Sequence, residues 1–303
     1  MPTPDRGRAA LAALAAAALW GGMYVVSKDT FSRIPPVTLG AMRLLVAGAA
    51  LAMVLGARGR LRWPGDPRVV LAGALLAVTL VLQFVGTDLA TASEGALLTT
   101  TTPLFIVPLA WAFLGERPGW RTVVGILVGM VGVVFAVGAG LGLRSSVTGA
   151  VLLLLSAAGW AAYTIASAPV ARRSGPLVAV TWATLVALPA VGLLALIEAD
   201  RWSADALTDP ATLAAIAYLG LAASAGAWYL WNRGVVGLPA AVTGAFFFVQ
   251  PVVGGLLARA FLGERLGVGF VVGGVLILAG VLLAIAGPDR RREPSETRRK
   301  ERT

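Results

Sequence analysis

Residues 99–119, TTTTPLFIVPLAWAFLGERPG, return in altered form at residues 246–267 as FFFVQPVVGGLLARAFLGERLG. Pro103 matches Pro251, Glu116 matches Glu264, and the pentapeptide FLGER is repeated letter for letter. Both copies are strongly apolar until their final charged residues. Internal similarity of this kind indicates a chain built from two related halves, and it raises the question of which solvent such apolar halves face.

The composition indicates that this solvent is lipid. Of 303 residues, 58% are hydrophobic and only 13% are charged, and the mean hydropathy is +0.83. A water-soluble protein of this size needs more polar surface. The net charge of +10 would suit nucleic acid in a soluble protein. Here the Arg and Lys residues lie in short segments between apolar runs, which is typical of membrane orientation signals.

The chain contains no His and no Cys. His is the commonest catalytic base and metal ligand, and Cys supplies disulfides and thiolate metal sites. We therefore expect no cofactor, no metal and no nucleic-acid partner. A membrane enzyme such as a lipid-modifying transferase is disfavoured, because it would need clustered acidic or His side chains and the acidic residues are scattered singly.

About 20 apolar residues are needed for a helix to cross the bilayer. Each apolar run is expected to be helical, because backbone groups in lipid must be hydrogen-bonded within the segment. The first run looks like a signal peptide, but it continues through Val26 without a cleavage site, so we expect a retained helix. Ten spans are predicted, at residues 9–27, 36–57, 68–87, 94–114, 120–139, 147–167, 176–197, 211–231, 239–261 and 267–287.

The arrangement of these spans follows from their number. Five spans in each half is an odd number, so the second half is inverted relative to the first. We predict an all-α integral membrane protein with ten transmembrane helices in two inverted five-helix repeats, residues 1–140 and 145–287, and a disordered basic tail at 288–303. If the N-terminus lies on the cytoplasmic side, most Arg and Lys residues of the loops also lie on the cytoplasmic side, as the positive-inside rule requires. Both termini are therefore expected on the cytoplasmic side of a bacterial-type inner membrane.

Several short motifs point to a known family. They are LWG at 19–21, AMR at 41–43, TPLF at 102–105 leading to LGER at 114–117, Trp160, YLWNRG at 229–234, and QP at 250–251 leading to GER at 263–265. With these motifs the chain resembles, over nearly its whole length, the drug/metabolite transporter superfamily, specifically carriers with EamA domains. The resemblance implies an inner-membrane carrier of a small-molecule substrate, often an exporter of amino acids. It would work by alternating access through a cavity between the repeats, as a monomer or a homodimer.

Polar and aromatic residues inside the spans form the candidate binding site, since polar groups are costly in lipid and face a protein interior or a cavity. Trp20 and Trp160 occupy equivalent positions in the two halves, and Tyr24 lies one turn after Trp20 on the same helix face. Such faces suit apolar or aromatic cargo, although ordinary span packing is the other interpretation. The substrate-binding candidates are Trp20, Tyr24, Arg43, Gln83, Glu94, Trp160, Tyr163, Trp182, Trp228, Asn232, Phe246 and Gln250.

Two charged candidates each have two interpretations. Arg43 either holds a substrate carboxylate in the cavity, or it pairs with Glu94 or with backbone carbonyls, or its side chain extends outward to the interface. Glu94 either begins a helix, where a carboxylate suits the helix dipole, or it serves as a proton-coupling site or as a ligand for an amine. A cavity carboxylate would favour the alternative function, a multidrug or organic-cation efflux carrier, whereas Arg43 argues against it.

The prolines and glycines of the spans have structural roles in this interpretation. Pro103 and Pro251 are predicted hinges, because proline removes a backbone bond and nearby hydroxyls or amides can satisfy the freed carbonyl. Gly125 and Gly129 in the fifth span, and Gly269, Gly273 and Gly280 in the tenth, permit close helix contacts. These two spans are expected to form a stiff outer frame or a dimer face.

Overall fold

The structure is a computed structural model, and it describes residues 5–137, 146–262 and 267–286. Within these ranges every regular element is a helix. The predicted basic tail at 288–303 and the second Gly-Glu-Arg motif at 263–265 lie outside the described residues.

Ten helical segments follow one another along the described chain, several of them in parts separated by short breaks or changes of helix type. A pair of 3₁₀ turns, Leu196–Arg201 and Ala204–Thr208, connects the seventh segment to the eighth. The segments are α1 (Arg6–Trp20 and Met23–Thr30), α2 (Pro36–Ala57), α3 (Arg68–Asp88), α4 (Ala92–Thr99 and Thr102–Leu114), α5 (Trp120–Val137), α6 (Val147–Ser174), α7 (Pro176–Ala195), α8 (Pro210–Ala217, Tyr218–Gly226 and Ala227–Gly237), α9 (Ala240–Ala245, Phe246–Phe248 and Val249–Leu262) and α10 (Val268–Ile285).

The lengths of these helices suit a membrane. Nine helices in the described part of the chain are long and apolar enough to cross a bilayer, and only α5 falls short, with an apolar stretch of Trp120–Ala136. Large apolar side chains are exposed along their outer faces, as at Met53, Phe113 and Val268. A surface of this kind is matched to lipid. The prediction of an all-helical, multi-pass membrane protein is therefore confirmed.

The fourth and ninth segments are each interrupted just before the proline that the sequence comparison aligned. In α4 the break lies immediately before Thr102, and Pro103 follows. The hydroxyl of Thr102 donates to the Thr99 carbonyl at 2.7 Å, which is the carbonyl that Pro103 cannot satisfy. In α9 a 3₁₀ turn, Phe246–Phe248, precedes Pro251. The expected satisfaction of a freed carbonyl by a nearby hydroxyl is thus found in α4.

The remaining helices form a layered bundle. α5 and α10 pack against each other along their length, and α2 packs against α7. A Cβ atom built on Gly280 would lie only 2.5 Å from the Gly125 carbonyl oxygen, so these two backbones touch directly. The close contacts predicted for these glycines are confirmed. The main core is formed largely by α1, α2, α3, α6, α7 and α8, and aromatic side chains of the bundle gather within it.

Candidate functional site

Aromatic rings from four helices meet at the centre of the bundle. The Trp20 ring of α1 lies edge-on to the Trp160 ring of α6, with centroids 5.2 Å apart, and stacks on the Phe247 ring of α9 at 5.3 Å. The Trp231 ring of α8 contacts Phe247 at 4.9 Å, and Trp228, also on α8, lies 6.2 Å from Trp160. Such pairs stabilise a core by about 0.5–1.5 kcal/mol each beyond the burial of their area. The cluster fixes the relative positions of α1, α6, α8 and α9.

A small cavity lies beside these rings. Its volume is about 20 Å³, which is room for roughly one water molecule. The wall combines aromatic and aliphatic side chains with several polar groups. The lining residues are Trp20, Met23, Tyr24, Arg43, Leu80, Gln83, Thr99, Thr102, Ser156, Ala157, Trp160, Trp228, Phe247 and Gln250.

Arg43 is the charged group on this wall, and it is only 1% exposed. Its Nε donates to the Ser224 hydroxyl, and its Nη2 donates to the Ala223 carbonyl at 3.0 Å. Its guanidinium carbon also lies 5.3 Å from the centre of the Trp228 ring and 5.5 Å from that of Phe84, within the range of a cation–π contact. The ion pairs found among the described residues do not include Arg43.

The wide turns of α8 place the groups that Arg43 binds. Residues 218–226 form a π-helical segment, in which the Ser224 hydroxyl donates to the Leu219 carbonyl at 2.6 Å. The Ala223 carbonyl faces the cavity region, where it also accepts from Trp20 Nε1 at 2.8 Å. Short π-helical segments inside α-helices occur frequently at functional sites.

A chain of hydrogen bonds forms the opposite polar part of the wall. The Tyr24 hydroxyl and the Thr99 hydroxyl are 2.5 Å apart, and Gln83 Nε2 donates to the Tyr24 oxygen at 2.9 Å. Thr99 in turn donates to the Gly95 carbonyl at 2.7 Å. The chain connects α1, α3 and α4, so these polar groups already have partners.

Other polar atoms of the cavity wall have none. Arg43 Nη1, Trp160 Nε1 and both side-chain polar atoms of Gln250 are buried, and no described residue hydrogen-bonds to them. A buried polar atom without a partner costs about 1–3 kcal/mol. Native structures rarely keep such groups without a reason. The arrangement therefore offers three donor atoms and one acceptor to a molecule that enters the cavity.

The structure brings part of the predicted set together. The predicted residues on the cavity wall are Trp20, Tyr24, Arg43, Gln83, Trp160, Trp228 and Gln250. The cavity is also lined by residues that were not among the predicted binding residues. These are Met23, Leu80, Thr99, Thr102, Ser156, Ala157 and Phe247. The alignment of the two repeated stretches contained a signal for Thr102, since Thr102 and Gln250 directly precede the aligned prolines. The small side chain of Ala157 carries no signal that distinguishes it from neighbouring span residues.

The other predicted residues lie elsewhere. Asn232 donates to the Tyr163 hydroxyl at 3.1 Å, and this pair joins α8 to α6 behind the cavity wall. Trp182 donates to the Arg62 carbonyl at 3.0 Å, at one end of the bundle. Phe246 belongs to a separate apolar cluster that α1 and α10 complete.

Glu94 lies in the first turn of α4, where it forms a capping box with Thr91. The Glu94 carboxylate accepts from the Thr91 N–H at 2.9 Å and from the Thr91 hydroxyl at 3.0 Å. The Glu94 N–H donates to the same hydroxyl at 3.2 Å. This is the helix-start interpretation of the residue.

A charge pair joins helix ends at one end of the bundle, and its carboxylate, that of Glu116, is buried whereas Arg172 is partly exposed. Glu116, in the first FLGER motif, accepts from Arg172 of α6 at 2.7 Å and from the Ala240 N–H of α9 at 2.7 Å. Arg172 also donates to the Val235 carbonyl near the end of α8, at 3.3 Å. One carboxylate thus joins the ends of α4 and α6 to the start of α9.

The helices and the central cavity together describe a multi-pass membrane protein with a small cavity of polar and aromatic side chains at its centre. The EamA-like transporter family model matches residues 7–138 and again residues 147–286. The chain belongs to this family and is a membrane transporter. The resemblance inferred from the short motifs is therefore confirmed.

Individual relatives are similar over most of their length. The uncharacterized transporter YwfM of Bacillus subtilis is 26% identical, over 92% of this chain and 94% of that protein. A probable terminal-alkyne amino-acid exporter of Streptantibioticus cattleyicolor is 34% identical, over 85% of this chain and 86% of that protein. A crystal structure of a protein with 25% sequence identity superimposes with a TM-score of 0.77, over 92% of this chain and 97% of that one.

Proposed function

We propose that this protein is a secondary-type carrier that exports a small metabolite, an amino acid with an apolar or aromatic side chain, through the central cavity by alternating access. The observation that carries the proposal is the buried guanidinium of Arg43, which lines the cavity and keeps Nη1 without a partner among the described residues. We place the protein in a bacterial-type inner membrane with both termini in the cytoplasm.

The Arg43 guanidinium would bind the carboxylate of the cargo. Arg presents a planar fork of donors that fits a carboxylate, and a charge-assisted bond of this kind is about twice as strong as a neutral one. Ser224 and the Ala223 carbonyl hold the Nε and Nη2 side of the group. Because Nε and Nη2 are held by these bonds, the planar guanidinium cannot rotate freely, and the direction of Nη1 is fixed.

The aromatic rings would receive the side chain of the cargo. Ligand pockets are mostly apolar, with a few polar groups that fix the orientation of the ligand. Trp20, Trp160 and Phe247 supply the apolar part here. The 34%-identical relative is named a probable terminal-alkyne amino-acid exporter, and this name supports a cargo of the same class.

Two inverted five-helix repeats would frame the cavity. The register that aligns the two prolines also pairs Thr99 with Phe247 and Thr102 with Gln250, and all four side chains line the cavity. The matched tryptophans of α1 and α6 add a further pair. A site built from equivalent positions of two halves is the usual arrangement in carriers with repeats.

The ends of the helices support the same pairing. Lys28 of α1 donates to the Asp88 carbonyl at the end of α3, at 2.5 Å. Arg172 of α6 donates to the Val235 carbonyl near the end of α8, at 3.3 Å. Inversion would place these two similar contacts on opposite faces of the membrane, as alternating access requires.

Cation efflux, the alternative function, has less support. It would need a carboxylate in the cavity to match a cationic cargo. The described residues on the cavity wall include one cation, Arg43, and no acidic side chain. An organic cation would therefore be repelled rather than held.

The test is a ligand-dependent thermal shift of the purified protein against amino acids and organic cations, since a ligand that binds the folded state raises its stability. We expect aromatic and apolar amino acids to raise the Tm of the wild type and of Arg121→Gln, a control that removes a surface cation. The shift should be lost in Arg43→Gln. A shift with organic cations that persists in Arg43→Gln and disappears in Glu94→Gln would replace amino-acid export by cation efflux.

A further inference from the structure

A second hollow lies away from the central cavity and shares none of its lining residues. It is a groove of about 330 Å³ between α3 and the second half of α4, and α6 forms its floor. The size lies within the roughly 300–1,000 Å³ that ligand sites occupy. The groove is therefore large enough for a ligand, unlike the central cavity of this structure.

The walls of the groove are apolar. Leu71 and Leu75 lie one turn apart on α3, and Leu109 and Phe113 face the groove from α4. Leu71 is 54% exposed and Phe113 is 73% exposed, so the rim opens sideways at the depth of the spans. The floor contributes Ala166 of α6, whose small side chain leaves depth between the walls. An occupant of this groove enters from lipid rather than from water.

One end of the groove is polar. Arg68, the first residue of α3, lines that end and is exposed, and the ion pairs of the described residues leave it without a carboxylate partner. In the floor, Pro169 cannot donate to the Ile165 carbonyl, which therefore lacks its helical donor. A cation and a carbonyl acceptor thus lie among otherwise apolar surfaces.

From this placement of charge, we propose that the groove binds one anionic phospholipid. An acyl chain lies along Leu75, Leu109 and Ala166, and the phosphate is held by Arg68. Burial of the chain contributes about 0.8 kcal/mol for each methylene, and an Arg near an anionic leaflet contributes about 1 kcal/mol. Apolar walls with one cation at the end fit an amphiphile with a negatively charged headgroup. An apolar ligand would fill the walls but would provide no anion to pair with Arg68. This site does not depend on the cargo of the central cavity.

The experiment measures the Tm of the delipidated, purified chain with phosphatidylglycerol, with phosphatidylcholine of the same acyl chains, and with glycerol phosphate. We expect phosphatidylglycerol to raise the Tm at least roughly twice as much as phosphatidylcholine, by mass action on the folded state. Glycerol phosphate should have no effect. An equal shift with glycerol phosphate would identify a free-phosphate site and overturn the proposal, as would equal shifts with the two lipids.

Two variants separate a bound lipid from general attraction to the charged surface. Arg68→Gln should lose the preference for phosphatidylglycerol, whereas Arg58→Gln, which removes an exposed cation outside the groove, should keep it. Ala166→Phe keeps Arg68 but fills the groove, and it should reduce the shift with both lipids. A full preference in Arg68→Gln would contradict the proposal. The proposal would also be contradicted if Ala166→Phe kept the full Tm shift with lipid but lost transport. That result would mean that the groove is a path for cargo rather than a lipid site.

Discussion

At the start of α4, Glu94 and Thr91 hydrogen-bond each other's backbone N–H groups. The sequence left two roles open for Glu94, helix start and proton coupling. Three hydrogen bonds between Glu94 and Thr91 explain the helix-start role. A Gln at position 94 could form the same capping box with Thr91. This similarity between Glu and Gln makes the two roles separable.

We predict that Glu94→Gln retains both the thermal stability and the transport rate of the wild type, because Gln still closes the capping box. Glu94→Ala should lose about 0.5–2 kcal/mol of stability, as caps do when truncated. Unfolding in detergent and initial uptake rates measure the two quantities. Loss of the pH dependence of transport in Glu94→Gln, with stability unchanged, would instead assign proton coupling to this carboxylate.

Arg43 shows how far sequence reasoning reaches at the scale of one residue. A charge inside an apolar span predicts a buried group that faces the protein interior, and the structure confirms its burial. The sequence analysis offered a backbone carbonyl as one possible partner, but the particular partners could not be predicted, because Ala223 and Ser224 are small, common residues about 180 positions away in the chain. Only the packing of α2 against the wide turns of α8 brings them within reach.

At the scale of the element, α4 and α9 are each interrupted before an aligned proline. Apolar run length predicted both spans, and the proline predicted a weak point in each. Neither signal predicted the 3₁₀ turn Phe246–Phe248, because three consecutive Phe residues are equally compatible with a continuous helix. Burial of all three rings fixes the local geometry there, and burial is a property of the folded bundle.

For α4 we predict that Pro103→Ala slows transport several-fold and leaves stability unchanged or higher. Ala supplies the missing N–H and straightens the helix, whereas the hinge is expected to need the break. Pro108→Ala is the matched control, since Pro108 lies in the same helix at an exposed position. Initial transport rates and Tm values test both variants. Equal slowing in the two would show that the effect is not specific to the hinge.

Asp209 caps the start of α8 outside the membrane. Hydrogen bonds from the Thr212 hydroxyl and from the Thr212 backbone N–H hold the pKa of the Asp209 carboxyl below its usual range, with a further contribution from Arg33. The contribution to stability is therefore complete above the unfolded pKa of about 3.9 and is lost as the pH falls through the lower folded value.

We expect Asp209→Asn to lower the Tm at pH 7 and to have a smaller effect near pH 3. Asn caps a helix as well as Asp does, so the variant removes the charge and keeps the cap. Thermal unfolding of the two proteins at both pH values gives the difference. A Tm difference that does not change with pH would mean that the Asp209 charge contributes nothing to folding.

At the scale of the whole molecule, one carboxylate joins several helix ends at one end of the bundle. The sequence predicted two related halves from one repeated pentapeptide, and the family match covers both halves. It could not predict that Glu116 of the first FLGER motif meets Arg172 and Ala240, since these contacts join separate helices. The central cavity is small in this structure, and the Glu116 junction lies at one end of the bundle, apart from the residues that line the cavity.

We predict that Glu116→Gln opens that end. A charge-assisted bond contributes about 1.5–3 kcal/mol, so its loss should raise the population of the open state by roughly 10- to 150-fold. The chain has no Cys, so Ser156→Cys places a single thiol on the cavity wall. Labelling by a membrane-impermeant maleimide from each side measures access. Asp66→Asn, at another buried carboxylate, is the control, and equal labelling in all variants would exclude the Glu116 junction as a gate.

The Ala223 carbonyl accepts from two cavity residues at once, Trp20 Nε1 at 2.8 Å and Arg43 Nη2 at 3.0 Å. Indole emission responds to the polarity of the group that its N–H binds. An anion that draws the guanidinium away would leave this carbonyl to the indole alone and alter the light that Trp20 emits. We therefore expect Trp20 emission to follow occupation of Arg43 without an added dye, once the emission of a Trp20→Phe variant, which keeps the other Trp residues, has been subtracted.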